Sequence, residues 1–276
     1  MRSRPTNEQM PMKVREIAAL IESQIPLGWQ ESYDNAGLAV GDPEAEVSTL
    51  LVALDATEEV VEEAIRVGAQ MVVTHHPIIF RPIKRLACQN RQQRTIAKAI
   101  AGGVALYAAH TNLDSAPAEG ISHLLARVLG LVEEGILEPS AAEQGVGIGV
   151  VASLPEPMEP TRFLALVAER LGVRALRHSP VRVDEVRRVA ICSGSGGSLI
   201  EAAEAAGADV YLSADFKYHD FVDADRMILV DAGHFETEIC SIDILFEILS
   251  KKMHNFAVRK SACVENPVRY LVSDNV

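Results

Sequence analysis

Histidines and carboxylates recur in this chain at spacings that suit a metal centre. The stretch "VVTHHPIIF" sets His75 beside His76, "AAHTNLD" holds His110 and Asp114 four residues apart, and "DAGHFETE" holds His234 and Glu238 at the same interval. Residues four apart share a helix face, so either of the last two pairs can aim two donors at one point where a helix has formed; "HTNLD" also reads as a loop. Neighbours on a strand point to opposite faces. His75 and His76 at a strand mouth therefore serve two adjacent ions or nothing in common. Imidazole nitrogen with carboxylate oxygen suits Zn, Fe, Mn, Co or Ni, and the lack of cysteine in these stretches argues against a closed structural zinc site.

Positioning such residues is the task of strands. "TLLVALDAT" reads as a continuous apolar strand ending near Asp55, followed by "TEEVVEEAIRVGA", a helix with a threonine cap that stops at Gly68. The pattern repeats in strand "QMVVTHH", helix "NRQQRTIAKAIAGG", strand "VALYAAH" and helix "EGISHLLARVLGL", and it resumes in "VRRVAICSGSGGSLIEAAEAAGADVYLSADF", "RMILVDAGH" and a long helix "TEICSIDILFEILSKKM". Alternation of this kind predicts an α/β fold of two related lobes with largely parallel sheets. Ligands of open parallel sheets gather beyond the carboxyl ends of the strands. Half of the eight histidines, His75, His76, His110 and His234, fall at such ends, beside carboxylates at the same register.

The expected organisation is a polar N-terminal extension over residues 1–11 with little order, a first lobe over 12–132, a linking segment over 133–184 and a second lobe over 185–276. In the linking segment "GVGIGVVASL" reads as a strand, "PEPMEP" as a proline-rich join and "PTRFLALVAERLG" as a short amphipathic helix. Length and a 48% hydrophobic composition allow a sizeable core. The balance of 38 acidic to 26 basic residues makes nucleic acid a poor partner, and the chain has no apolar run of the roughly 20 residues that span a bilayer. Those features predict a soluble cytoplasmic protein with no membrane partner. Its four cysteines are isolated and read as reduced thiols.

The ordered combination of "GWQESYDNAGLAVGDP", "VVTHHPIIFRPIKRL", "YAAHTNLDSAPAEG" and "VDAGHFETE" resembles the signature stretches of the dinuclear-metal proteins known as GTP cyclohydrolase I type 2 homologues, the NIF-three-like family. The resemblance runs from about Met12 to the C-terminus. It implies a two-lobed α/β subunit with two divalent metal ions held between the lobes at strand ends, and a toroidal homohexamer whose metal pairs face an internal cavity. Carried over by position, His75, His76, Asp114, His234 and Glu238 match the family's metal ligands. Glu238 would bridge both ions, with His76 and Asp114 completing one and His75 and His234 the other. Thr237 departs from the serine of many relatives. The interval between Asp114 and His234 leaves no room for the domain that longer relatives insert there, so the short form is implied.

His110 matches a family histidine that lies near the metals without being a ligand, which makes it a catalytic proton relay or a structural histidine. Asp34 and Asn35 could line the cavity, but a turn before Gly37 is the favoured reading. The Ser193–Gly197 stretch could cradle a phosphate or form a tight turn, and Lys217 and His219 could contact a phosphate or stay solvated. His123, His178 and His254 carry no assigned role. Paired ions that lower the pKa of water predict a hydrolase; the family resemblance implies metal-bridged hydroxide attacking guanine C8 of GTP and releasing formate. A metal-dependent nucleotide phosphoesterase and a non-enzymatic hexameric scaffold or chaperone are the competing expectations.

Overall fold

The computed structural model describes residues 11–141, 143–253 and 256–271. The extension expected over residues 1–11 lies outside them except for Pro11, as does His254. The chain divides into two compact units, one running to Asn112 and resumed over Ser241–Val264, the other formed by Leu113–Cys240 and the residues from Glu265 onward.

The first unit opens with β1 (Met12–Lys13) and α1 (Val14–Glu22), whose stripe Val14, Ile17, Ala18 and Ile21 is buried as its spacing predicts. Next come β2 (Gly37–Val40), β3 (Glu46–Val47), which pairs with β1, and β4 (Thr49–Ala53). Helix α2 (Glu58–Val67) is capped by the Thr57 side chain, which accepts from the Val60 N–H, and ends at left-handed Gly68. β5 (Met71–Thr74), α3 (Arg91–Ala101) and β6 (Ala105–Ala108) follow, with Asn90 capping α3 at Gln93. β4, β5 and β6 run parallel, and β2 adds an antiparallel edge. Ala53, Thr74 and Ala108 stand opposite one another at the ends of the three central strands. Asp55, His76 and His110 each follow two residues later, so a single register brings all three to the same rim.

Helix α4 (Thr111–Asp114) carries the chain into the second unit, so "HTNLD" is one short helical turn and not a loop. The second unit contains α5 (Ile121–Val128), the antiparallel pair β7 (Val132–Pro139) and β8 (Gly147–Met158), α6 (Pro160–Leu171), and β9 (Arg177–His178). β10 (Val186–Ser195), α7 (Ile200–Ala205), β11 (Val210–Ala214), α8 (Tyr218–Asp223), β12 (Ile228–Asp231) and α9 (His234–Glu238) complete it. The six strands run β7-β8-β10-β11-β12-β9.

Only β10, β11 and β12 are mutually parallel; β7, β8 and β9 are antiparallel to their neighbours. The expectation of largely parallel sheets therefore holds for the first unit and fails for the second, whose sheet is mixed because a hairpin supplies one side of it. "PEPM" is strand and not a join: β8 continues through Met158, and its register against β10 shifts between Ser153 and Met158. Pro155 and Pro157 lie in that interval and can donate nothing to a ladder, so the pairing yields there.

The long helix expected from Thr237 is also broken. α9 stops at Glu238, and α10 (Ser241–Lys252) starts three residues later as part of the first unit, followed by β13 (Ala257–Lys260) beside β4. Of the chain's helices, none among the described residues is long and apolar enough to cross a membrane. The first unit's core packs Leu51, Val72 and Leu106 of the sheet against Val60, Val61 and Ile96 of α2 and α3. Leu51→Ala, at a position 1% exposed, is expected to lower stability by about 3 kcal/mol in urea denaturation; a loss below about 1 kcal/mol would contradict close packing there.

Candidate metal centre

Each unit assembles a set of donors at its strand ends. In the first unit the ring-nitrogen ligand atoms of His75, His76 and His110 all lie within 4.8 Å of one another. The ring centroids are 4.9 Å apart for His75 and His76, and 5.1 and 5.6 Å from these two to His110. His75 is fully buried. Its Nδ1 lies 2.9 Å from the Ala109 carbonyl, which can only accept, so Nδ1 carries the proton and Nε2 the lone pair. His76 and His110 repeat the arrangement with carboxylates: Nδ1 of His76 is 2.8 Å from Asp55 Oδ1, and Nδ1 of His110 is 2.7 Å from Asp34 Oδ1. Three imidazoles thus keep Nε2 as the basic nitrogen, the state a metal ligand needs.

Asp34 departs from the turn assignment. Its carboxylate is buried and accepts from His110 Nδ1, the Thr111 N–H (3.0 Å), the Thr111 hydroxyl (2.5 Å) and the Asn35 N–H (2.7 Å). Burial alone would raise its pKa, but the hydrogen bonds from His110 and Thr111 together with the His110 charge outweigh this and hold it at about 2. Asn35 Nδ2 donates to the Ile79 carbonyl at 2.6 Å, so it tethers the segment that follows the paired histidines.

In the second unit His234 and Glu238 occupy one face of α9, with His234 Nε2 2.9 Å from Glu238 Oε2. Nδ1 of His234 is 2.7 Å from Asp215 Oδ2, a third histidine–carboxylate pair. Asp215 sits just past β11 at φ 58°, a left-handed conformation uncommon outside glycine, which marks it as a constrained position. Asp114 and Glu238 are both nearly buried and meet the same stretch, the bulge where β10 loses register with β11 between Ile191 and Ser195. The Ser193 hydroxyl is 3.2 Å from Asp114 Oδ1, and the Gly194 N–H donates to the Thr237 hydroxyl at 3.0 Å.

Gly194, at φ 61°, has no room for a side chain, since a Cβ there would stand 1.9 Å from Glu238 Oε1. At Gly196 a Cβ would stand 2.2 Å from the Ser213 hydroxyl, and the Gly196 carbonyl accepts from Tyr211 at 2.8 Å. The glycine-rich stretch is therefore a turn closed around buried side chains, which explains its composition without a phosphate. Thr237 keeps its hydroxyl in use between the Gly194 N–H and the Gly233 carbonyl.

The remaining predicted residues lie elsewhere. Lys217 and His219 are exposed around the start of α8. His123 pairs with Glu133 at 2.6 Å, and His178 Nδ1 meets the Ser179 carbonyl at 2.8 Å, both structural arrangements. All four cysteines are free thiols; burial, followed by the nearby Asp114 carboxylate, pushes Cys192 up to about 12 and makes it a poor ligand.

Residues 12–267 match the family model described as Duf34/NIF3 (NGG1p interacting factor 3). The chain is 33% identical over 252 residues to a protein of Clostridium acetobutylicum named GTP cyclohydrolase 1 type 2 homolog, covering 90% of this chain and 94% of that one. A protein of the same name from Clostridium perfringens is 36% identical over 82% of this chain and 87% of its own. The crystal structure of a Bacillus cereus protein related to NIF3 superposes with a TM-score of 0.87 at 26% identity, covering 95% of this chain and 99% of that chain.

Two outcomes test this geometry. Gly194→Ala is expected to retain the fold and to weaken divalent-ion binding at least about tenfold by isothermal titration, because the new methyl displaces Glu238; unchanged binding would dissociate Glu238 from the ions. Asp34→Asn tests the buried carboxylate. Because the pKa of Asp34 is held below its ordinary 3.8, its charge stabilises the native state fully above that pH and ceases to do so as the pH falls toward about 2. The variant should be less stable than wild type by about 2 kcal/mol at pH 6, and the difference should vanish between pH 4 and pH 2. A difference independent of pH would refute the assignment.

Proposed function

Because the chain belongs to the DUF34/NIF3 family, we propose that it is a divalent-metal-dependent hydrolase of a small molecule, with His75, His76, Asp114, His234 and Glu238 as ligands of a dinuclear centre. The observation that carries this reading is the clustering of His75, His76 and His110 with every Nδ1 held by an acceptor. Such a set fits a borderline divalent cation and serves little purpose as packing. His234 and Glu238, tethered in the same manner through Asp215, supply the second donor set. In this reading Glu238 would be a ligand of the dinuclear centre, as the family likeness implies.

Bound ions would supply a nucleophilic water at neutral pH and an electrophile for developing negative charge. The chain's own residues do the rest. Asp34 holds the Nδ1 proton of His110, so Nε2 is the site at which His110 takes a proton from the attacking water and returns it to the leaving group. Asp55 and Asp215 hold the imidazoles of His76 and His234 in the orientation that ligation needs. The name shared by the clostridial relatives suggests opening of the guanine ring of GTP at C8 with release of formate, and we adopt that reaction as the substrate proposal, along with assembly into a homohexamer.

Elemental analysis is expected to find about two divalent ions per wild-type chain, with loss of ions in Glu238→Ala and His76→Ala. The same samples should release formate from GTP only when metal-loaded and should elute at six times the chain mass. Phosphate released without formate would replace the cyclohydrolase step by phosphoester hydrolysis. Two ions with no turnover of any nucleotide would leave a metal-binding scaffold, and absence of bound ions would overturn the proposal.

A further inference from the structure

The segment after the paired histidines, "IFRPIKRLACQNRQQ", folds around a cavity of about 920 Å³ lined by Phe80, Arg81, Ile83, Lys84, Arg85 and the amide side chains at the start of α3. That volume is in the range of small-molecule sites. No acidic residue lines it. The chain as a whole carries a net charge of -12, so three cations gathered without an acid are a local exception.

Neighbouring cations are neutralised within the same unit. On α3, Arg91 pairs with Glu59 at 2.6 Å, Arg94 with Glu58 at 2.9 Å, and Lys98 with Glu62 and Glu58 of α2. By contrast, none of Arg81, Lys84 and Arg85 makes an ion pair among the described residues. Three exposed cations around one concavity present a local positive potential that attracts a multivalent anion. The backbone of the segment is nevertheless anchored: Gln92 donates to the Ile78 carbonyl and Asn35 to the Ile79 carbonyl, both at 2.6 Å. Gln93 accepts from the Ala87 and Gln89 N–H groups. Among the described residues the loop is thus pinned while its cationic heads are not.

The cavity is also one ring away from the metal-competent histidines. Phe80, in its wall, stands edge-on to His110 with centroids 6.0 Å apart and also packs against Tyr33 at 6.3 Å. We infer that this cavity binds the phosphate groups of a phosphorylated small-molecule substrate, with Arg81, Lys84 and Arg85 as the anion clamp and the phosphate-free end directed past Phe80 toward His75, His76 and His110. The inference rests on the hydrolase reading for the reacting end. The clamp itself stands on the cavity and its charges. Arginine supplies the planar fork that phosphate oxygens accept from in pairs, and lysine a point charge.

The test is titration of inorganic pyrophosphate into wild type, the exposed triple variant Arg81→Gln/Lys84→Gln/Arg85→Gln, and His76→Ala, each with and without chelator. Saturable binding to wild type that survives chelator and the His76 change, but weakens at least about tenfold in the triple variant, is the expected result. Loss of binding on chelation with retention in the triple variant would place the anion on the metal and overturn the clamp. Absence of pyrophosphate binding alongside tight binding of a short single-stranded RNA would overturn it too, because the groove would then serve a nucleic acid. If the clamp holds pyrophosphate while no metal is bound by any sample, the hydrolase reading fails and the anion site stands.

Discussion

An imidazole can ligate a cation only through a nitrogen that carries no proton, and the arrangement of this protein follows from that requirement. Each of the four histidines at the strand ends has its Nδ1 against an acceptor: the Ala109 carbonyl, Asp55, Asp34 and Asp215. With the Nδ1 proton held, Nε2 is the basic position in His75, His76 and His110 and each ring plane is set, while Nε2 of His234 faces Glu238 Oε2 at 2.9 Å. Acceptors can stand at the right distance only if neighbouring strands end in step. The shared register of Ala53, Thr74 and Ala108 therefore serves the site as much as the sheet.

The second unit meets the same requirement with a different device. Its buried carboxylates, Asp114 and Glu238, need room and hydrogen-bond partners, and a regular parallel strand offers neither to a side chain arriving from a helix. β10 breaks register over Ile191–Ser195, turning the Ser193 hydroxyl toward Asp114 and leaving only a hydrogen atom at Gly194 to face Glu238. The bulge is a localised departure from ideal sheet geometry that re-aims side chains where the chemistry is. In glycine-rich stretches of this kind, composition alone does not separate an anion cradle from a gap left for a neighbouring side chain.

Much of the first unit is legible in the sequence, because its strands are buried on both faces and its helices carry their own caps, as at Thr57, Gly68 and Asn90. The clustering of His75, His76 and His110 follows from strand ends alone. What is not legible depends on long-range pairing. β13 is a short polar strand that exists because β4 is beside it, and β9 is two residues long. The interruption after Glu238 leaves no mark in an apolar pattern that continues through it, and "PEPM" looks like punctuation until a sheet is placed around it. Asp34 reads as a turn residue because "YDNAG" has turn composition; its partner His110 is 76 residues distant in sequence. Asp215 had a signal of its own, an acid directly after a strand, but nothing in the sequence links it to His234.

The return of the chain to its first unit bears on how the protein is made. β13 covers the outer edge of β4, and Ser261 and Ala262 satisfy the buried carboxylate of Glu63 on α2. At a translation rate of about 5–20 residues per second, the roughly 200 residues separating β4 from β13 take on the order of ten to forty seconds to emerge. Throughout that interval β4 presents an unpaired edge to whatever else is nascent nearby, while nearly all of the second unit is contiguous and reaches completion earlier. On the ribosome, then, most of the second unit, including all six strands of its sheet, emerges before β13, and the donors nearest the N-terminus wait for that strand to complete their scaffold.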